Sequence, residues 1–219
     1  MLSDEDLQAL NALLPWRCFT VDSKGRRFGD RAWPGKRETP QPVPDPRIVE
    51  LNERFDLRDK HVLELGCFEG VHTSALCSFG VRVTAIDSRI ENVVKTIVRC
   101  AMFGYSPTVF VCDLEHAGDC ERLPPVDILH HVGVLYHLTD PVGHLRMLTL
   151  LVKTGIMLDS HYAEDGDAKD TYLVGEERFD INAIKRVPRL RSFRARATMV
   201  SSCVSMISSR CLANSVSVT

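Results

Sequence analysis

The sequence predicts a doubly wound α/β fold built on a mostly parallel sheet, preceded by a short helical and looped extension. Three observations carry this expectation. Short, nearly continuous apolar runs occur at 61–65, 81–86, 108–112, 126–130 and 156–158; helix-period segments separate them; and Gly66, Asp87 and Asp113 stand at or just after the ends of the first three. Strands apolar throughout belong to sheets covered on both faces, and alternation with helices makes neighbouring strands parallel.

Residues 1–14 read as an amphipathic helix capped by Ser3, with Asp4, Glu5 and Asp6 in its first turn and Leu7, Leu10, Leu13 and Leu14 on one face. Pro15 ends it. The stretch 22–47 is rich in Pro, Gly and charge and reads as an extended or looped connector, and 48–55 as a helix leading into the core. The first core strand ends at Gly66, and a helix over about 71–79 closes at Gly80. After the second strand, Ser88 is expected to cap a helix whose face is Ile90, Val93, Val94, Ile97, Val98, Ala101 and Met102, stopped by Gly104. Asp140-Pro141 opens another helix, with Asp as N-cap and Pro at the first helical position, and a face of Val142, Leu145, Leu148, Leu151 and Val152. Beyond 177 the periodicity fades, leaving strands at 198–206 and 212–218 without a clear partner or turn. The expected organisation is an extension over 1–47, a core over 48–177 and a basic, then Ser-rich segment over 178–219.

The chain has 219 residues with 44% hydrophobic and 26% charged, the balance of a globular protein with a sizeable core. No apolar run approaches the roughly 20 residues needed to span a bilayer, and the acidic Met1-Leu2-Ser3-Asp4-Glu5-Asp6 start is unlike a signal peptide. A cytoplasmic protein without membrane partners is therefore expected. Eight cysteines without a C-x-x-C pair, several within apolar stretches, fit free thiols better than disulfides or zinc ligands. The net charge of −2 hides an asymmetry. From Arg178 onward there are eight basic residues and one acid, a segment of +7; residues 1–177 carry −9.

In open α/β sheets, ligands bind beyond the C-terminal ends of the strands. Glu64-Leu65-Gly66-Cys67-Phe68-Glu69-Gly70 follows the first strand, with Gly66 permitting a sharp turn and Gly70 opening the next helix. Asp87, beyond the second strand, has the spacing of a carboxylate that accepts the two hydroxyls of an adenosine ribose. Cys112-Asp113-Leu114, beyond the third, offers an acid and an apolar side chain suited to adenine's amine and ring face. Ser88 stands beside the ribose position.

With these residues the chain resembles the class I S-adenosylmethionine-dependent methyltransferases. Residues 62–70 are similar to their first motif, Asp87 to their ribose acid and Asp113 to their adenine-contacting acid. Gly133-Val134-Leu135-Tyr136-His137, followed by Pro141, is similar to the G-V-L-Y-H…P signature of a subgroup that includes the tRNA wobble-uridine carboxymethyltransferases. Leu14-Pro15-Trp16 is similar to that subgroup's L-P-W segment. The resemblance covers about residues 12–175 and implies a Rossmann-like methyltransferase fold and S-adenosyl-L-methionine as cofactor. It implies cofactor contacts at Glu64, Gly66, Cys67, Phe68, Gly70, Asp87, Ser88, Asp113, Leu114 and His131. Phe68 departs from the pattern by replacing the motif's middle glycine.

Methyl transfer from a sulfonium is an in-line displacement in which positioning supplies much of the rate, and a base serves a protonated nucleophile. His131, at the end of the fourth strand, is the first candidate base, His137 the second and His161 the third. His130 reads as a sheet-face residue and His144 as a surface or packing residue of its helix. No H-x₃-H or H-E-x-x-H pattern suggests a metal. The acidity of residues 1–177 favours a small-molecule acceptor, with a nucleic-acid substrate second, because phosphate neutralisation dominates nucleic-acid affinity. A carboxymethyl donor would need a cation for its extra carboxylate, and none stands in sequence near the first motif. A nicotinamide dehydrogenase would favour G-x-G-x-x-G, and a catalytically silent methyltransferase-like module is the non-enzymatic alternative.

Overall fold

Ser3 opens the first helix, α1 (Asp4–Leu13), through a reciprocal cap: Asp6 N–H donates to Ser3 Oγ, and Ser3 N–H to the Asp6 carboxylate, both at 3.1 Å. The computed structural model describes residues 3–22, 24–29, 39–161, 171–174, 177–180 and 194–200, with His161 and the last three stretches described by backbone alone. The chain divides into two compact units, Met1–Asp113 and Leu114–Thr219.

In the first unit, Leu7 of α1 joins Trp16 and Phe28 in a buried cluster flanked by Leu14, Val98 and Met102. Leu13, expected on the same face, is 76% exposed. At 100° per residue it lies about 120° around the helix from Leu7, whereas Leu14 falls almost directly below it. The expected connector holds a short antiparallel hairpin, β1 (Thr20–Val21) with β2 (Arg27–Phe28). Asp45 caps α2 (Pro46–Phe55) by accepting from Arg47 N–H at 2.9 Å, with Pro46 in the first turn.

Three parallel strands follow in order: β3 (His61–Leu65), β4 (Arg82–Asp87) and β5 (Thr108–Val111). Every residue of β3 is buried, as a strand covered on both faces requires. Between them run α3 (Val71–Cys77) and α4 (Ile90–Met102). Helix α4 corrects two expectations. Arg89, not Ser88, occupies its N-cap position and makes no side-chain cap, while Asp87 accepts from Arg89 N–H and Asn92 Nδ2, both at 3.0 Å. The buried face is also turned from the expected one: Asn92, Lys95, Thr96 and Arg99 lie inside with Val93 and Cys100, while Ile90, Val94 and Ile97 face outward. Polar backbone from residues 15–20 and the carboxylate of Glu69 lie against this face, and their need for donors overrides the apolar periodicity.

The second unit contains α5 (Ala117–Cys120), β6 (Val126–Val132), α6 (Pro141–Thr149) and β7 (Val152–His161). β6 and β7 pair in parallel, Leu129 opposite Ile156 and Val132 opposite Asp159. Both strands run longer than the apolar pattern alone suggests, because His130, His131, Asp159 and Ser160 are buried in them. Asp140 caps α6 as expected, accepting from Gly143 N–H at 2.9 Å, with Pro141 in the first turn. Leu148 is buried with His144, whereas Leu151 and Val152 lie past the helix end. β8 (Thr171–Val174) and β9 (Glu177–Asp180) pair antiparallel, Thr171 opposite Asp180. β10 (Arg194–Val200) runs antiparallel to β7, Arg194 opposite His161 and Val200 opposite Gly155, so part of the basic segment enters the sheet. The remainder of the strands expected at 198–206 and 212–218 lies outside the described residues. The class is the one expected, a doubly wound, mostly parallel α/β fold. Among the described residues, no helix is long and apolar enough to cross a membrane.

Candidate functional site

The loop leaving β3 is built from left-handed turns. Gly66 has φ 69°, Phe68 φ 50° and Gly70 φ 75°. Phe68, at the place of the middle glycine of the expected pattern, takes the left-handed backbone that favours glycine, and a phenylalanine pays roughly 1–2 kcal/mol for that conformation. Gly70 answers to packing as well: a Cβ there would stand 2.9 Å from Thr96 Cα on α4. Glycine is what lets loop and helix touch.

Several bonds fix this conformation. Cys67 N–H donates to Ile86 O at 2.9 Å, and Gly70 N–H to Cys67 O at 2.8 Å. Thr96 Oγ1 donates to Phe68 O at 3.3 Å. Asp87 ties the loop to the end of β4, its Oδ2 accepting from Phe68 N–H at 3.1 Å while Oδ1 serves α4. A carboxylate oxygen accepts two bonds, so Oδ2 keeps capacity for a further donor. Cys112 N–H donates to Asp87 O at 3.0 Å, bringing the ends of β4 and β5 to the same edge, where Asp113 is exposed. Gly66, Cys67, Phe68, Gly70 and Asp87 are thus brought together; Ser88 is exposed beside them. A carboxylate with spare acceptor capacity beside a glycine-type turn fits the ribose of an adenosine-bearing ligand.

Glu64 lies within β3, 2% exposed, its Oε2 accepting from Thr73 Oγ1 at 2.6 Å. Burial pushes its pKa up to about 8, so it is mainly protonated at neutral pH.

Sequence reasoning missed a heavily bonded, buried carboxylate of the first unit. Glu69 is fully buried inside the loop, and its carboxylate accepts from Arg17 N–H at 2.9 and 3.0 Å, Cys18 N–H at 2.7 Å and Lys95 Nζ at 3.1 Å. Lys95 also reaches Pro15 O at 2.9 Å and Glu91 at 2.6 Å. Arg99 Nε donates to Glu69 O at 2.6 Å, and its remaining nitrogens to Thr20 Oγ1 at 2.6 Å and Cys18 O at 2.9 Å. Its guanidinium stacks over Trp16 and Phe28, centred 5.0 and 4.8 Å from the rings. The only signals in the sequence were the Leu-Pro-Trp resemblance and the i, i+4 spacing of Lys95 and Arg99 on a helix otherwise read as apolar.

The second unit holds Leu114, His131, His137 and His161. Leu114 is half-buried, its carbonyl accepting from Cys120 Sγ at 3.5 Å. His131 is fully buried on β6, Nε2 to Nε2 with His144 of α6 at 3.1 Å. One nitrogen of that pair donates and the other accepts, while the Nδ1 of each is buried without a partner. Burial pushes the His131 pKa down to about 3 and that of His144 to about 4, so both rings are neutral at pH 7. His144 is thus a packing residue, and His130 is buried within the sheet, as expected of each. His137 is exposed on the short 3₁₀ turn Leu135–His137, its ring 4.2 Å from that of Tyr136. His161 ends β7, and its side chain lies outside the described residues.

No family model matches the chain. It is 29% identical over 175 residues to the tRNA U34 carboxymethyltransferase of Pseudomonas paraeruginosa strain DSM 24068 / PA7, covering 78% of this chain and 50% of that protein. It is 28% identical over 194 residues to the enzyme of the same name from Shewanella loihica strain ATCC BAA-1088 / PV-4, covering 85% and 54%. The chain therefore spans about half the length of these curated relatives. Among solved structures, the N-terminal domain of EvdMO1 with SAH bound is 26% identical with a TM-score of 0.64, covering 76% of this chain and 69% of that one. The fold and the relatives are those of the class I S-adenosylmethionine-dependent methyltransferases. Within that class the chain resembles the tRNA U34 carboxymethyltransferases.

Proposed function

We propose that the chain binds S-adenosyl-L-methionine at the loop after β3 and transfers its methyl group to an O or N nucleophile of a small-molecule acceptor. The observation that carries this reading is Asp87, bonded to Phe68 N–H of a left-handed loop and still able to accept a ribose hydroxyl. Gly66, Cys67, Phe68 and Gly70 shape the loop, Glu64 and Ser88 flank it, and Asp113 and Leu114 are assigned to adenine. The sulfonium methyl is the electrophile that the cofactor supplies when bound. On the acceptor side, His137 is exposed and suited to taking a proton, His161 is a further candidate, and the neutral His131 is better suited to hydrogen bonding than to proton abstraction at pH 7. The structural relative with SAH bound supports the cofactor.

A second reading, a tRNA-modifying methyl- or carboxymethyltransferase, is favoured by the names of the curated relatives. Against it stands the −9 charge of residues 1–177, with the compensating cations lying from Arg178 onward. Thermal shift with S-adenosylmethionine, S-adenosylhomocysteine and NAD tests the cofactor: stabilisation by the first two alone is expected, and no shift with either overturns the reading. Transfer of labelled methyl to small hydroxyl- or amine-bearing acceptors, run beside bulk tRNA, separates the substrates. Label in tRNA alone would replace the first reading by the second. Cofactor binding without transfer to either would favour a silent module.

A further inference from the structure

Three left-handed residues in a five-residue loop, one of them Phe68, form a conformation that the surroundings must impose. Glu69 lies between the second and third of these residues, and its carboxylate accepts from donors outside the loop. Two donors are backbone N–H groups of the segment 15–20, and the third is Lys95 of α4. Arg99, also of α4, spans the same two partners, taking Glu69 O on one side and Cys18 O and Thr20 Oγ1 on the other. Trp16 lies beneath both cations, its ring 5.9 Å from Lys95 Nζ and 5.0 Å from Arg99 Cζ. Lys95 is 1% exposed, while Glu69 and Arg99 are fully buried. An ionic group this dry is costly unless each member is satisfied, and here the members satisfy one another only when the segment 15–20 is docked.

We propose that residues 15–20 act as a strap which, through Glu69, Lys95 and Arg99, holds the loop 66–70 in its ligand-binding shape. Lys95 and Arg99 are positioning residues for cofactor binding. The proposal rests on the cofactor reading above. Neither cation touches the ligand; each acts through Glu69, whose neighbours Phe68 and Gly70 set the loop.

A double-variant cycle tests it. Lys95→Met should weaken S-adenosylhomocysteine binding, measured by calorimetry, by about tenfold or more, since it leaves a buried carboxylate short of its charge partner. In a Phe68→Gly background, where the loop no longer needs restraint at that residue, the same change should cost less than about threefold. A merely structural Lys95 would give equal losses in both backgrounds, and that result overturns the proposal. Hydrogen exchange on the ligand-free chain gives a reading independent of the cofactor. Protection at 66–70 should fall together with protection at 15–20, with β3 and β4 unchanged; loss at 15–20 alone refutes the coupling. Should Lys95→Met fail to fold, Thr20→Val, which removes one acceptor of Arg99, should produce the same paired loss on a smaller scale. A wild-type chain that ignores S-adenosylhomocysteine while showing the paired exchange would sink the cofactor reading and leave the strap standing.

Discussion

Two buried polar assemblies solve the same problem in opposite ways. Around Glu69 the first unit buries charge, one carboxylate against Lys95 and Arg99, and bonds every member to backbone or side chain. Between His131 and His144 the second unit buries imidazoles that stay neutral, share one bond, and leave both Nδ1 atoms without a partner. The charged assembly tolerates no missing member because each loss strands an ion; the neutral pair is cheap to alter but sensitive to protons. Function follows the same division. The charged assembly shapes a loop, and the neutral pair links β6 to α6 through one bond.

The largest effect should come from breaking the charged assembly. Glu69→Gln removes the carboxylate buried against Lys95 and Arg99, leaving Lys95 only the exposed Glu91 as its acidic partner, and should cost about 3–5 kcal/mol in urea unfolding. The double replacement His131→Phe with His144→Leu should change stability by less than about 1.5 kcal/mol at pH 7, because both partners of one neutral bond leave together. Equal costs for the two would erase the difference between charged and neutral burial.

Acid sharpens the comparison. The His131 and His144 pKa values lie near 3 and 4 when folded, below the ordinary 6.5, so the unfolded chain binds more protons across that interval. Their contribution is complete above about pH 6.5 and is lost as pH falls toward 3–4. The double histidine variant should flatten the acid limb of a plot of melting temperature against pH. Glu64 carries the opposite sign. Its folded pKa of about 8 lies above the ordinary 4.5, so the folded chain holds the extra proton and stability falls as pH rises from about 4.5 through 8. Glu64→Gln should therefore gain on the wild type progressively between pH 5 and 9, a trend read from paired melting curves. Smallest of all, Phe68→Gly relieves a left-handed phenylalanine but frees the unfolded chain, two terms of about 1 kcal/mol that nearly cancel. A loss well beyond that would show that the Phe68 side chain supports the loop.

What could be read from the sequence was local. The Ser3 cap, the Asp140-Pro141 start and the five core strands depend on neighbours a few residues away, and all are present. The buried face of α4 could not be read that way. Its polar residues go inward to meet Pro15, Cys18 and Thr20, about eighty positions earlier in the chain. Phe68 shows a related limit: the residue type broke the glycine pattern, yet the φ angle kept it. Asp87 has the spacing of a ribose acid, but its bonds to the loop and to α4 join segments that spacing alone does not relate.

The most direct test of the central claim is calorimetric titration of the chain with S-adenosylhomocysteine, alongside Asp87→Ala and Asp87→Asn. Binding by the wild type is predicted, with affinity reduced more than tenfold in both variants, since a hydrogen bond to a charged group contributes about 1.5–3 kcal/mol. No binding by the wild type, or equal affinity in all three, would contradict the account.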